Sequence, residues 1–203
     1  MKILELFRKQ YLIFYESYLR KKIKNDSFSI ISSNCAGGVI YHRLNKQFLS
    51  PTINLFIDNK EFINFVSNLN YYLSLELEFC DSVDQTYPVA KLGDITINFN
   101  HYKSNLEAKT KWKERVSRVN YSNLFVLMYD RDGVTKEDLL SLSKLDCRGV
   151  AVLSTKKYND IDYVYTYKPS SSSFSDSMAM NKTKILGKYT FEKYFDYIEW
   201  LNN

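Results

Sequence analysis

Apolar positions along the chain follow two rhythms, one of about 3.6 residues and one of two, and their order lays out the fold. Near the start, Phe7, Tyr11, Phe14, Tyr15 and Tyr18 recur at helical spacing, which predicts a helix within residues 1–25. Residues 28–33 read as a short buried strand. They run into Asn34-Cys35-Ala36-Gly37-Gly38 and a helical stretch over residues 39–44. Ser50-Pro51-Thr52 opens an extended segment over residues 53–57. Asp58 and Glu61 then stand at capping-box spacing, ahead of a helix whose apolar stripe is Phe62, Phe65, Val66, Leu69 and Tyr72.

Residues 75–80 suit a strand, and residues 88–92 a loop or edge segment. Ile95, Ile97 and Phe99 alternate with Thr96, Asn98 and Asn100, a period-two strand that delivers His101 at its end. Ser104 and Glu107 form a second capping box, and the helix behind it carries Ala108, Trp112, Arg115 and Val116 on one face. An apolar strand over residues 124–129 ends at Asp130-Arg131-Asp132-Gly133. Thr135 caps a helix with Leu139, Leu140 and Leu142, and residues 149–153 form the next strand. Residues 170–177 are a Ser-rich loop. Residues 191–201 close the chain as an amphipathic helix through Tyr194, Phe195, Ile198 and Leu201. This alternation predicts an α/β fold, three layers of α/β/α around a largely parallel or mixed central sheet. Residues 1–203 are expected to make a single domain, with residues 1–25 a basic amphipathic helix packed on it or flanking it.

Composition narrows the class. The chain has 203 residues, 45% of them apolar and 25% charged, as expected of one globular domain with a real core. No run approaches the roughly 18–20 apolar residues needed to span a bilayer. Glu5, Arg8, Lys9 and Glu16 interrupt any secretory h-region. Cys35, Cys80 and Cys147 are odd in number, widely spaced and without a CxxC pair. That argues against disulfides or zinc and for a reducing, cytoplasmic location. The aromatic content of 16% fits AT-rich codon usage better than a dedicated stacking surface.

Charge is concentrated. Residues 1–24 hold seven basic and two acidic side chains, a net +5 that equals the net charge of the whole chain. Such a distribution excludes a broad nucleic-acid-binding face. It fits either a helix docked with a solvated charged side or peripheral contact with an anionic membrane surface.

The candidate chemistry gathers at strand ends. Cys35 stands at a strand-to-helix junction, where backbone N–H groups can lower a thiol pKa and bind an oxyanion that Gly37 and Gly38 would help shape. His101 follows one strand and Asp130 another. Ligands collect at the carboxyl ends of strands in α/β sheets. If the three strands run parallel, nucleophile, base and orienting carboxylate share one edge, as covalent acyl transfer needs. His42, two helical turns beyond Cys35, is the weaker base. Asp130 and Asp132 also spell DxD, a short signal for a divalent cation holding a nucleotide sugar, so a metal-dependent glycosyltransferase is the first rival reading. A non-catalytic carbohydrate- or partner-binding module is the second. Arg115 or Arg118 suits a phosphate or carboxylate on a substrate. Neither GxGxxG nor GxxxxGK spacing occurs, and no cofactor or metal is assigned.

Taken in order, Ser33-Asn34-Cys35-Ala36-Gly37-Gly38-Val39-Ile40-Tyr41, Leu49-Ser50-Pro51-Thr52, His101-Tyr102-Lys103 with Trp112, Arg115 and Arg118, and Asp130-Arg131-Asp132-Gly133 resemble the domain-of-unknown-function family 1919. The similarity is strongest over residues 28–153. It implies a role in exopolysaccharide or capsule biosynthesis, a setting in which members carry acyl- or phosphotransferase labels. The family places an aromatic residue after the cysteine, where this chain has Ala36. The Cys, His and Arg-rich arrangement is also similar to families labelled cysteine peptidases. The resulting expectation is a cysteine-dependent acyl transferase or hydrolase in cell-surface polysaccharide biosynthesis. Cys35, His101 and Asp130 would be catalytic. Asn34, Gly37, Gly38, Tyr41, Arg115, Arg118 and Asp132 would bind a small-molecule or glycan substrate.

Overall fold

The computed structural model describes residues 2–80, 86–130, 134–168 and 187–203. Helix α1 (Lys2–Lys22) precedes strand β1 (Ser29–Ser32) and helix α2 (Ala36–Leu44). Helices α3 (Asn59–Ser67) and α4 (Leu69–Ser74) lead into strands β2 (Glu78–Phe79), β3 (Val89–Leu92) and β4 (Ile95–Asn98). Then follow α5 (Asn105–Val116), β5 (Leu124–Tyr129), α6 (Lys136–Ser141), β6 (Gly149–Ser154), β7 (Val164–Thr166) and α7 (Tyr197–Asn202).

The run Leu-Phe-Val-Leu-Met-Tyr in β5 has no charged member, so this strand needs cover on both faces. It is buried throughout and sits inside a four-stranded sheet of order β1-β5-β6-β7, parallel at every pairing. Phe125, Leu127 and Tyr129 face one side. There they join Ile30, Ala151 and Leu153 beneath Leu19 of α1, Ile40 and Tyr41 of α2, and Leu201 of α7. Leu124, Val126 and Met128 face the other side, with Ile31 and Val152, against Phe62 and Phe65 of α3 and Trp112 of α5. The chain is thus an α/β fold with helical layers on both faces of a parallel sheet.

The outer edge of β1 is closed by side chains in place of a further strand. The Ile30 amide donates to the Tyr41 hydroxyl at 3.0 Å and the Ser32 amide to Thr52 Oγ1 at 2.8 Å. An edge sealed in this way offers no template for another chain.

Several local expectations change. Residues 89–92 form a strand, paired antiparallel with β4 across a two-residue turn whose Gly93 has φ 63°. A turn of that hand suits a hairpin and suits glycine. β4 therefore belongs to a separate antiparallel sheet, β2-β3-β4, and not to the parallel one. Asp58 makes no side-chain cap, and the Glu61 carboxylate that would complete the box reaches across to β4 instead and accepts the Thr96 amide at 2.9 Å. The helix expected through Tyr72 breaks at Asn68. The C-terminal helix starts only after Asp196, whose carboxylate accepts the Ile198 and Glu199 amides. The Thr135 cap forms as expected, with Asp138 completing the box. The Ser-rich residues 170–177 lie outside the described residues. Among the described residues no helix is long and apolar enough to cross a membrane.

Candidate functional site

Because β1 and β5 are parallel neighbours, the chain leaves both at the same edge, with Cys35 just beyond one and Asp130 just beyond the other. Hydrogen bonds stitch that edge together. The Tyr129 amide donates to Ser33 Oγ at 3.2 Å, and the Asp130 amide to the Leu153 carbonyl at 2.8 Å. Ser154 Oγ, at the end of β6, donates to Asp130 Oδ2 at 2.6 Å. Asp130 is buried, so a hydroxyl answering its carboxylate offsets part of the desolvation cost.

Asn34 is the working cap of α2. Its Oδ1 accepts the Ala36 amide at 2.9 Å, and Ser32 Oγ accepts the Gly37 amide at 3.3 Å. Two of the helix-start amides expected to bind an oxyanion are thus occupied by neighbouring side chains. The glycines serve packing. A Cβ at Gly37 would stand 3.0 Å from Ser32 Cβ and 3.3 Å from Ile30 Cγ2, whereas one at Gly38 would meet Asn54 and Ile53 at 3.4 Å. Tyr41 is fully buried, with its hydroxyl taken by the Ile30 amide and the Phe28 carbonyl, so it supports the strand edge and presents nothing to a ligand.

Cys35 is half-buried, and its sulfur lies 3.9 Å from the Leu55 carbonyl. Two tyrosine hydroxyls lie near enough to feel its charge. Tyr129 is buried in the sheet, and burial pushes its hydroxyl well above the ordinary range, with Tyr167 and the Cys35 thiol adding to the shift. Tyr102 comes from the turn after β4. Burial raises its hydroxyl too, against the pull of the Arg115 guanidinium. That hydroxyl donates to the Ile53 carbonyl at 2.7 Å and accepts from Arg115 Nη1.

Arg115 arrives by helical arithmetic, with Ala108, Trp112 and Arg115 on the buried stripe of α5. It is only 8% exposed, and its guanidinium lies over the Phe48 ring at 5.2 Å. Among the described residues no carboxylate comes within ion-pair distance of it. A buried guanidinium that keeps its charge needs an anion or several acceptors, and here the described partners are one hydroxyl and aromatic faces.

The other sequence candidates are placed differently. His101 is exposed at the end of an antiparallel strand, and its imidazole hydrogen-bonds to no described residue. It is therefore not held by Asp130, and the three strand ends do not assemble as one parallel row. Arg118 pairs with Glu114 on the surface at 3.8 Å. Asp132 lies outside the described residues, which leaves the DxD pair with only Asp130 in view. Among the described residues no three His, Cys, Asp or Glu side chains gather as metal ligands. Tyr102, Phe48 and Ser154 were not among the sequence candidates. Only Tyr102 had a signal, its position directly after His101.

Comparison with known proteins agrees on one relationship. The model of the family described as "Domain of unknown function (DUF1919)" matches residues 7–202, a wider span than the motifs alone cover. A protein of Haemophilus influenzae bearing the name "Uncharacterized protein" is 33% identical over 202 residues, covering 100% of this chain and 97% of that one. On both counts, the chain belongs to the DUF1919 family.

Proposed function

We propose that the chain is a cysteine-dependent acyl transferase or hydrolase acting on an anionic small molecule or glycan. In this reading Cys35 is the nucleophile and Arg115 holds the substrate's negative group. The observation that supports it is the buried Arg115 guanidinium, which no described carboxylate neutralises and which Tyr102 links to the surroundings of the Cys35 sulfur. A positive charge placed there favours a thiolate and attracts a carboxylate or phosphate.

Attack of the thiolate forms a bond from Sγ to the acyl carbon and expels the leaving group, which takes up the proton lost by the thiol. Water or an acceptor hydroxyl then attacks the thioester, surrenders its proton, and restores the thiol. His101, one residue before Tyr102, carries the proton once substrate draws the groups together. Catalytic hydrogen bonds often close only in the substrate complex. Asp130 fixes the ends of β5 and β6 and stays outside the proton path. Cell-surface polysaccharide as the setting rests on the family resemblance. The cytoplasm as the compartment rests on the cysteine spacing.

Rates of iodoacetamide labelling, resolved by peptide, test the reading with internal standards. Cys80 is exposed, while burial pushes the half-buried Cys147 thiol up, with the Gly149 carbonyl as its acceptor. Cys35 is expected to label faster than Cys80 at neutral pH, and more slowly in Arg115→Met. A Cys35 no faster than Cys147 overturns the proposal.

A further inference from the structure

The structure divides α1 into a half packed on the body and a half whose side chains are exposed. Leu19 and Ile23 are buried, and Arg43 Nη1 holds Glu16 at 2.9 Å, so the last turns are fixed to the body. Residues 4–10, by contrast, are exposed at every position. The apolar side chains on this stretch and just beyond it face solvent, with Phe7 71% exposed, Phe14 74%, Leu4 74%, Leu6 60% and Ile13 54%. Two phenylalanines so exposed on one helix are a patch that wants cover.

Charge indicates which cover. At 3.6 residues per turn, Glu5 and Glu16 fall on the same side as the buried Leu19 and Ile23. The side opposite Leu19 carries Leu6, Phe7, Ile13, Phe14, Tyr18 and Lys21 and no acidic residue, while Lys9 and Lys22 flank its two margins, all of them exposed, with Glu5 one turn before Lys9. Lys22 Nζ also lies 4.7 Å from the Tyr18 ring centre, an aromatic and basic pairing suited to a headgroup region. A protein partner of matching apolar shape would need an acidic rim. An anionic bilayer supplies both the hydrocarbon and the negative charge.

We propose that the solvent face of α1 is a peripheral membrane anchor that selects anionic lipid, seating Phe7 and Phe14 at the acyl boundary with the lysines among the headgroups. Aromatic insertion gives affinity, and the basic rim gives lipid selectivity that salt screens.

Co-sedimentation of the full chain with vesicles tests this. Binding to phosphatidylglycerol vesicles is expected to exceed binding to phosphatidylcholine vesicles by at least about tenfold, and to fall as salt is raised. Phe7→Gln/Phe14→Gln should abolish binding to both vesicle types while leaving the thermal midpoint unchanged, since neither ring is packed. Lys9→Gln/Lys21→Gln should remove the anionic preference and leave the fold intact. Equal binding to both lipids, or no binding by the folded wild type, overturns the anchor. So does sedimentation as a dimer that Phe7→Gln/Phe14→Gln dissociates, because the face would then belong to a second copy.

Discussion

Arg43 and Arg115 each carry a guanidinium into the interior, one from α2 and one from α5, on opposite sides of the sheet. Arg43 is compensated by charge, although its buried Nε makes no hydrogen bond. Glu16 lies 2.9 Å from Nη1, Glu192 lies 3.4 Å from Nε, the Gly187 carbonyl accepts from Nη2, and the Tyr189 ring stacks at 4.5 Å. Replacing it by Met strands Glu192, itself buried, and should cost about 3–5 kcal/mol in urea unfolding. Burial lifts the Glu192 carboxyl above its ordinary range even against the attraction of Arg43. With a folded pKa above the unfolded one, the folded state binds the proton more tightly. The resulting stabilisation is full below the ordinary carboxylate range and lost as pH rises through the raised value. Wild type should therefore gain stability over Glu192→Gln as pH falls from 7 toward 4, and a flat difference would contradict that sign. Arg115 behaves in the opposite way. Arg115→Met loses no described carboxylate partner and removes a costly buried charge, so it should leave stability unchanged or raise it by up to about 3 kcal/mol. Thiol reactivity at Cys35 should fall in the same variant. A residue whose removal stabilises the fold while weakening the chemistry serves a ligand.

At the scale of elements, the junction of β1 and α2 carries the clearest contrast. Adding a methyl at Gly37 drives it to 3.0 Å from Ser32 Cβ, on a strand whose other face is packed, so Gly37→Ala should destabilise by about 1–3 kcal/mol. The same change at Gly38 meets its neighbours at 3.4 Å inside a helix and should be close to neutral, since helix propensity offsets the tight fit. Thermal melts of the two variants separate close packing from a general demand for glycine. The same comparison shows what the sequence could convey. The helical stripe of Ala108, Trp112 and Arg115 was legible because a 3.6-residue period survives any packing partner. The membership of β4 was not. Alternation in Ile95, Ile97 and Phe99 looks the same in a parallel sheet and in a hairpin, and only the pairing of Leu92 with Ile95 decides. That choice takes His101 out of the parallel row and brings the Tyr102 hydroxyl to Arg115. Glu61 misled for a related reason. A cap acceptor three residues on is a local signal, and the Thr96 amide outcompeted it from 35 residues away in sequence.

Across the whole molecule, the β5 strand couples two layers that share no helix. Its odd-numbered residues Phe125, Leu127 and Tyr129 belong to one core, and Leu124, Val126 and Met128 to the other. Stripping the helices from either face uncovers three large side chains on this one strand. Burial of each stabilises by roughly 1.5–3 kcal/mol, so loss of one layer should carry the other with it. The two tryptophans of the chain allow a direct test. Trp112 packs with Phe65 and Phe99 on one face, and Trp200 with Phe125 and Phe195 on the other. In Trp200→Phe only the first layer emits, and in Trp112→Phe only the second. Each substitution keeps an aromatic ring, so the stability change should be modest and measurable by circular dichroism. After correction for that change, the two fluorescence transitions in urea should superimpose. Two separated midpoints would mean that the layers unfold independently, and that β5 transmits less than its burial on both faces implies. Residues 4–10 of α1, which touch neither core, should exchange their amides long before either tryptophan reports unfolding. The exposed half of the helix can then engage a surface without loosening the sheet edge that carries Cys35 and Asp130.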